Sequence, residues 1–259
     1  EDFSPSGSNT GTLTNGPTWV AGKIGKAVDF DGTDDYISIP DASSLRVTTD
    51  FTLSAWVNPD NLSTTRNIIS KDTVGSDLSG GYNFRIKTNG AIEVEINNTV
   101  FITSNSGQFT AGNWQLMTVS HSGTTYSFFK NGVLINTVTD SNNPTSFAST
   151  VLIGRRGFDT TANFLGSIDD VRIYNRVLSA GEVTRLYEQS ASTKINVSLN
   201  NQLTNGLVGQ WSFNGQDVSG TTAYDRSGQG NNGTLTGGPS VTPGKIGQAL
   251  SFDGNDDYV

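Results

Sequence analysis

The chain has 259 residues, a net charge of −8 and no cysteine, and 34% of its residues are hydrophobic. This length supports one large domain with a substantial core, whereas the lack of cysteine excludes a disulfide framework and thiolate metal sites. The acidic balance disfavours nucleic acid and anionic lipid as partners, and no apolar run approaches the roughly 20 residues that span a bilayer.

The sequence pattern predicts short strands, separated by polar turns, over most of the chain. In the segment FTLSAWVNP, Phe51, Leu53, Ala55 and Val57 alternate with other residues and share one face, which is the pattern of a strand. Asn-Gly turns join several neighbouring segments as hairpins. Further strands are predicted in AVDFDG, DDYISIP, NIISK, YNFRIK, AIEVEIN, NWQLMTVSHSG, TYSFFKNG, VLINTVT, VLIGRR and FLGSIDDVRIYN. This density of strands favours an antiparallel sandwich.

One short helix is predicted near the end of this strand-rich region. Ser179 and Glu182 form a capping box, and Val183, Leu186 and Tyr187 give the segment SAGEVTRLYEQS an apolar stripe. The following residues, 191–206, are polar and have no strong periodicity. We interpret them as a linker.

A long internal repeat is the most informative feature of the sequence. Residues 11–36 and 233–258 are identical at 17 of 26 positions without a gap, and Gly32 corresponds to Gly254, which sets a period of 222 residues. A period of this length indicates a repeated domain rather than a solenoid. We therefore expect a domain over 1–190 and the truncated opening of a second copy over 207–259, in a piece excised from a longer tandem array.

The motifs FTLSAWVNP, NWQLMTVSHSGTTYSFFKNGVLI and FLGSIDDVRIYNRVLSAGEVTRLY, in this order, resemble the laminin-G-like branch of the concanavalin A-like lectin/glucanase superfamily. The openings GLVGQWSFNG and FDGTDDYISIP fit the same pattern. The resemblance implies an all-β jelly-roll sandwich of two antiparallel sheets, here with one short C-terminal helix. It also implies a typically non-enzymatic module of secreted or surface proteins.

The first copy departs from that pattern because nothing in it matches GLVGQWSFNG. In this fold the first and last strands usually lie side by side, so a missing strand leaves an open sheet edge. The segment over 207–214 carries the apolar residues to fill it, namely Leu207, Val208, Trp211 and Phe213. We expect it to complete the sandwich, either within one chain or, as we favour, by donation from a neighbouring chain.

Two acidic clusters, DFDGTDDY and SIDDVR, are candidates for a calcium site. Asp31, Asp34 and Asp35, together with Asp169 or loop carbonyls, offer the oxygen ligands that Ca²⁺ requires, and laminin-G-like modules often hold this ion. The alternative is that these carboxylates cap tight turns and pair with Arg172 or Arg176. The sequence leaves both interpretations open.

The superfamily includes glucanases, so catalysis has to be considered. Those enzymes carry acids at alternate positions of one strand, and the nearest match is Glu93-Val94-Glu95. We predict that Glu93 and Glu95 are ordinary strand residues. His121, the sole histidine, is expected to face solvent.

Ligand contacts require exposed aromatic or charged side chains. Trp56 and Trp114 lie inside motifs of the family core, so we expect them to pack inside the protein. A solvated turn is the simpler interpretation of Gly154-Arg155-Arg156. The remaining candidates for ligand contacts are Trp19, Tyr82, Arg155 and Arg156.

Taken together, the sequence predicts a non-enzymatic, extracellular binding or adhesion module of a bacterial tandem-repeat surface protein. Its expected partner is a glycan or a surface protein, with self-association through 207–259 and without membrane insertion. The first alternative is a structural spacer or a filament subunit assembled by strand donation. A glycan hydrolase is the third.

Overall fold

The computed structural model describes residues 9–72, 80–157, 161–191, 207–213, 217–244 and 248–259. The chain divides into two compact units, Glu1–Lys194 and Ile195–Val259. Apart from residue 191, the predicted linker lies outside the described residues. In the part of the chain that is described, no helix is long and apolar enough to cross a membrane.

The first unit is a sandwich of two seven-stranded antiparallel sheets, which confirms the predicted all-β fold. The first sheet has the order β1-β4-β13-β6-β7-β8-β9 and the second has the order β12-β11-β10-β5-β14-β3-β2. The strands are β1 Thr12–Thr14, β2 Thr18–Ala21, β3 Lys26–Asp31, β4 Tyr36–Ile39, β5 Phe51–Pro59, β6 Arg66–Lys71, β7 Tyr82–Ile86, β8 Ile92–Ile96, β9 Val100–Thr103, β10 Gln115–Ser122, β11 Thr125–Lys130, β12 Val133–Thr139, β13 Val151–Ile153 and β14 Leu165–Tyr174. A short 3₁₀ helix spans Ser43–Leu45.

Strand β5 lies in the middle of the second sheet and is covered on both faces. Phe51, Leu53 and Val57 point into the main core between the sheets, as the alternation in the sequence predicts. Trp56 points to the opposite face, where it stacks on Tyr187 of helix α1, Ala180–Ala191, at a centroid distance of 5.6 Å. The prediction that Trp56 packs inside the protein is therefore confirmed.

The predicted capping box starts helix α1. The backbone N–H of Ser179 donates to Glu182 Oε2 at 2.9 Å, and the N–H of Glu182 donates to Ser179 Oγ at 3.3 Å. An ion pair of 2.8 Å joins Glu182 to Arg176. The Arg176 guanidinium, together with the Ser179 N–H, lowers the pKa of Glu182 to about 2.

This capping group makes a testable contribution to acid stability. Because the pKa of Glu182 is lower in the folded chain, its stabilising effect is complete above the ordinary pKa of 4.5 and is lost as the pH falls towards 2. In the Glu182→Gln protein, we expect the free energy of unfolding to fall less between pH 4.5 and about pH 2 than it falls in the unaltered chain. Denaturant titrations at each pH measure this fall. Parallel curves for the two proteins would contradict this role.

The expectation that His121 faces solvent is wrong. Its side chain is fully buried, its Nδ1 lies 2.8 Å from the carbonyl oxygen of Thr49, and its ring lies 4.0 Å from the ring of Tyr126. His121 shares a strand face with the core residues Met117 and Val119, because positions two apart in a strand point the same way. It is a packed residue and is unavailable for catalysis.

Where the second unit is described, it contains short strands: β15 Val218–Ser219, β16 Thr222–Ala223, β17 Gly233–Thr234, β18 Ser240–Pro243 and β19 Gln248–Ser251. Its pairings reproduce those of the first unit at an offset of 222 residues. Thr14 pairs with Tyr36 and Thr236 with Tyr258, and the four-residue ladder of β2 with β3 matches that of β18 with β19. The sequence repeat is therefore also a structural repeat over these strands.

Candidate functional site

The outer face of the first sheet carries a buried network of charged side chains. Neighbouring strands β7 and β8 place Arg85 opposite Glu93, and Arg85 lies 2.7 Å from Glu93 and 2.8 Å from Glu95. Both glutamates are almost fully buried. Glu93 Oε1 accepts from Arg85 Nε at 2.7 Å and Glu93 Oε2 from the Thr103 hydroxyl at 2.9 Å, so this buried pair is held by its neighbours and is not presented to a substrate.

Arg156 extends this network from the turn after β13. Its Nε donates to Asp72 at 2.6 Å and its Nη2 donates to Glu95 at 2.7 Å. Asp72 also accepts hydrogen bonds from Ser70 and Asn83. The expected solvated turn is therefore wrong for Arg156, which is only 6% exposed, because its guanidinium links two buried carboxylates.

A cavity of about 600 Å³ opens beside this network. It lies where β4 and β13 adjoin the loop before β13 and the turn after it. Its volume is in the range of sites that hold small ligands. Among the described residues, the lining includes Tyr36, Ser38, Asp41, Asp72, Phe147, Ala148, Ser149, Thr150, Leu152, Arg155 and Gly157.

Two polar atoms in the cavity lining are buried and have no partner among the described residues. They are Ser149 Oγ and Arg155 Nε. The Arg155 guanidinium lies 5.1 Å from the centre of the Tyr36 ring, which places a cation on an aromatic face. These two polar atoms have almost no accessible surface, so a ligand in the cavity would meet the Tyr36 ring and the other exposed parts of the lining rather than these two atoms.

An ionised carboxylate lies at one side of the cavity. Asp41 forms ion pairs with Arg46 and with Lys71, the latter at 2.7 Å. These two cations, with the Arg46 hydrogen bonds contributing most, hold the pKa of Asp41 well below its usual range. Burial lowers the pKa of Lys71, and the neighbouring Asp41 partly offsets this effect. The cavity therefore presents a fixed acceptor as well as donors.

The other residues that the sequence suggested as ligand contacts lie in different parts of the first unit. Arg155 lines the cavity. Tyr82 does not contribute, because it is 1% exposed in the main core and its hydroxyl donates to the Leu45 carbonyl. Trp19 lies on the edge strand β2 and is 57% exposed. Tyr36 and Ser149 were missed, and the sequence contains no local signal for them.

The acidic turn after β3 is built by its own carboxylates. Asp35 Oδ2 accepts from the N–H of Asp31 at 3.0 Å, and Asp31 Oδ1 accepts from the N–H of Thr33 at 2.7 Å. The repeat forms the same bonds, from Asp253 N–H to Asp257 and from Asn255 N–H to Asp253. These bonds support the turn-capping interpretation.

The predicted ligand set for calcium is only partly assembled. Carboxylate oxygens of Asp31, Asp34 and Asp35 lie within 4.8 Å of one another. Asp169 is not in this group: its Oδ2 accepts from the N–H of Ile24 at 2.7 Å and its Oδ1 from the N–H of Asp170. Its inclusion was wrong, because it holds the turn between β2 and β3.

Comparisons with known proteins agree with this architecture. A family model described as the concanavalin A-like lectin/glucanases superfamily matches residues 31–184. A search of curated protein sequences gives no match.

Several solved structures share the fold of the first unit. Domain 4 of AbnA, a GH43 extracellular arabinanase from Geobacillus stearothermophilus, in complex with arabinotriose, is 22% identical with a TM-score of 0.58, covering 71% of this chain and 91% of that one. The binding domain of Paraclostridial Mosquitocidal Protein 1 is 16% identical with a TM-score of 0.59, covering 73% and 49%. The botulinum neurotoxin serotype D binding domain is 16% identical with a TM-score of 0.56, covering 71% and 48%. The chain thus spans about half the length of these two toxin domains, and at such identities the likeness shows the fold.

Proposed function

The chain belongs to the concanavalin A-like lectin/glucanase superfamily, and on that premise we propose that its first unit is a non-enzymatic carbohydrate-binding module. The observation that carries this proposal is the cavity beside β4 and β13, where the Arg155 guanidinium lies over the Tyr36 ring. Sugars present hydroxyl groups that both donate and accept, and their C–H faces pack on aromatic rings. The cavity offers a surface complementary to these sugar groups, with the aromatic rings of Tyr36 and Phe147 and the carboxylate of Asp41.

The charged network supports binding rather than hydrolysis. A retaining glycosidase requires one carboxylate to attack and another to transfer a proton. Glu93 and Glu95 are held by arginine N–H groups and are 3% and 1% exposed. We propose that they stiffen the sheet beneath the cavity and place Arg156 and Asp72.

The setting that we propose for this module is a tandem-repeat protein outside a bacterial cell, where it attaches the protein to a glycan or to a surface. The repeat at 222 residues supports an array of such units. Several modules on one chain raise the effective concentration of every further binding event, so weak sites together can hold a surface. The arabinanase domain, whose structure holds arabinotriose, supplies a first ligand to test.

The proposal predicts which variants lose glycan binding. We expect Tyr36→Ala and Arg155→Ala each to weaken binding at least about tenfold, a loss of about 1.4 kcal/mol, because each removes one side of the same contact. Binding is measured by calorimetry with arabinotriose and with the strongest hits from a glycan array. Unfolding midpoints of the variants verify that the fold is kept.

Trp19→Ala is the matched control, since it removes an exposed aromatic ring elsewhere on the same unit. Its affinity is expected to equal that of the unaltered chain. If Trp19→Ala abolishes binding while Tyr36→Ala does not, the site is misplaced. If no glycan on the array binds, the function itself is wrong.

Calcium at the acidic turn stays a prediction, restricted to Asp31, Asp34 and Asp35. Burial, together with the neighbouring carboxylates, raises the pKa of Asp35, and a bound cation would relieve that repulsion. An ion that binds only the folded chain raises its stability. We expect a higher melting temperature in calcium than in chelator, and a smaller difference for Asp34→Asn. Equal melting temperatures in the two buffers would refute the site.

A further inference from the structure

The described lining of the cavity beside β4 and β13 contains three charged residues, Asp41, Asp72 and Arg155. Both carboxylates have ionic partners: Asp41 lies between two cations, and Asp72 accepts from Arg156 Nε at 2.6 Å. In the part of the chain that is described, Arg155 forms neither an ion pair nor a hydrogen bond, and its guanidinium lies beside the Tyr36 ring. Arg155 is therefore the one charge of the described lining that has no counter-charge.

The ion pairs around the cavity leave an excess of positive charge. At Asp41, one carboxylate faces two cations, Arg46 and Lys71. The buried network that includes Arg156 is balanced, because three carboxylates pair with three cations. Together with the unpaired Arg155, these described groups carry a net charge of +2, although the whole chain carries −8. The local field therefore favours an anion in the cavity.

The outer part of the Arg155 guanidinium is open to the cavity. Arg155 as a whole is half-buried, and of its three side-chain nitrogens only Nε is both buried and unpartnered. Because Nη1 and Nη2 form no hydrogen bond with the described residues either, they retain accessible surface. The N–H groups of a guanidinium form a planar fork, which binds the two oxygens of a carboxylate side by side.

The position of Arg155 makes a neutral ligand a poor partner for it. A charged group that is partly removed from water loses hydration, and this loss is costly unless a counter-charge replaces the water. A sugar hydroxyl replaces it with a neutral hydrogen bond, whereas a carboxylate forms charge-assisted bonds that are about twice as strong. A ligand that carries a carboxylate therefore gains an interaction here that its neutral counterpart lacks.

The loop that contributes Phe147 is held in place before any ligand binds. Asn97 Oδ1 accepts from the backbone N–H of Thr145 at 2.9 Å and from its hydroxyl at 3.0 Å. The Gly81 N–H donates to the Thr145 carbonyl at 3.3 Å. Phe147 packs closely against Gly80, where an added Cβ atom would come within 2.6 Å of the ring. Such a fixed wall reduces the entropy that a ligand loses on binding.

We propose that this cavity selects a sugar unit that carries a carboxylate, namely a hexuronic acid of an acidic polysaccharide, and that Arg155 is the residue that recognises this carboxylate. The inference rests on the proposed carbohydrate-binding function and names the class of sugar for the same site. The carboxylate binds Nη1 and Nη2 of Arg155, and the sugar ring packs on Tyr36 and Phe147. Asp41 is left to accept hydrogen bonds from hydroxyl groups of the ligand.

A matched pair of ligands isolates the effect of the charge. The linear trimers of galacturonic acid and of mannuronic acid are each compared by calorimetry with their own methyl esters, which have the same sugar rings but no charge. We expect at least one acid trimer to bind about tenfold or more tightly than its ester, the effect of hydrogen bonds to a charged group. This preference is expected to shrink as the salt concentration rises.

Three variants assign the preference to Arg155. Arg155→Gln keeps an N–H donor but removes the charge, so the ratio of the two affinities is expected to fall to about one. Arg155→Lys keeps the charge and is expected to keep a preference for the acid. Lys87→Gln is the matched control, because Lys87 pairs with Glu93 at 3.3 Å in the neighbouring network but does not line the cavity. It is expected to leave the preference unchanged.

The outcomes distinguish this inference from the proposed function. If acid and ester bind equally well and Tyr36→Ala weakens both, the module binds carbohydrate but the assignment of an acidic sugar is wrong. A preference that survives in Arg155→Gln would also overturn it, since another cation would be responsible. So would a sulfated trisaccharide that binds well while both uronic acid trimers do not. If no acid trimer, ester or neutral glycan binds, the proposed function fails together with the inference.

Discussion

Replacing Arg156 with methionine is expected to destabilise the first unit by about 3 kcal/mol, at the lower end of the range for removing one partner from a buried ion pair. Methionine keeps most of the side-chain volume but removes the N–H groups that reach Asp72 and Glu95. Both carboxylates would remain almost fully buried, where an unpaired charge is costly. Their other partners, Ser70 and Arg85, limit the loss.

The measurement is thermal and chemical unfolding followed by near-ultraviolet circular dichroism. A loss of this size lowers the melting temperature by about 6–12 °C in a domain of this length. Arg172→Met is the matched control, because Arg172 pairs with Asp170 at 2.9 Å in a partly exposed position. Exposed pairs of this kind contribute at most about 1 kcal/mol. Similar losses for the two variants would mean that the buried network does not stabilise the fold.

Arg155 and Arg156 illustrate what the sequence could not provide. The two residues are adjacent and chemically identical, yet one lines the cavity and the other is buried against carboxylates of β8 and of the segment after β6. The two carboxylate partners of Arg156, Glu95 and Asp72, lie 61 and 84 residues away along the chain. No local pattern carries that information, because the pairing depends on how the strands are ordered in the sheet.

The long central strands were predictable because their own alternation specifies a buried face. The edge strands β1, β2 and β9 were not predicted, since each has three or four residues and one neighbour only and buries few residues; in β9 only Ile102 is buried. His121 is a different case. It continues the alternation of Met117 and Val119, so the buried position was readable from the sequence, and the polarity of imidazole misled the interpretation.

The position of the cavity depends on residues that have no motif of their own. Tyr36 and Leu152 line it from neighbouring strands, and Phe147 and Ser149 come from a loop without regular structure. The acidic turn, in contrast, was recognisable because its capping bonds form within five residues. Contacts that are local in sequence were predicted, and contacts that depend on sheet order were not.

Gly81→Ala is expected to be the most damaging glycine-to-alanine substitution among the described residues of the first unit. Gly81 precedes β7 and has a φ of +78°. A Cβ atom at this position would lie 1.7 Å from the Lys71 carbonyl oxygen. The added methyl must displace backbone rather than a flexible side chain, so the cost combines the left-handed conformation with a clash that cannot relax locally.

We expect the free energy of unfolding to fall by about 4 kcal/mol or more, which is in the tail of the distribution for single substitutions. Gly123→Ala separates the two causes. Gly123 also has a positive φ, of +60°, but no atom lies within 4 Å of its added Cβ, so its cost is expected to be about 1–2 kcal/mol, from conformation alone.

The displaced strand end carries Lys71 and Asp72, whose side chains position Asp41 and Arg156. A Gly81→Ala protein that remains folded should therefore also bind glycan more weakly, whereas Gly123→Ala should bind normally. Equal destabilisation by the two substitutions would show that the close approach to Lys71 is not a constraint.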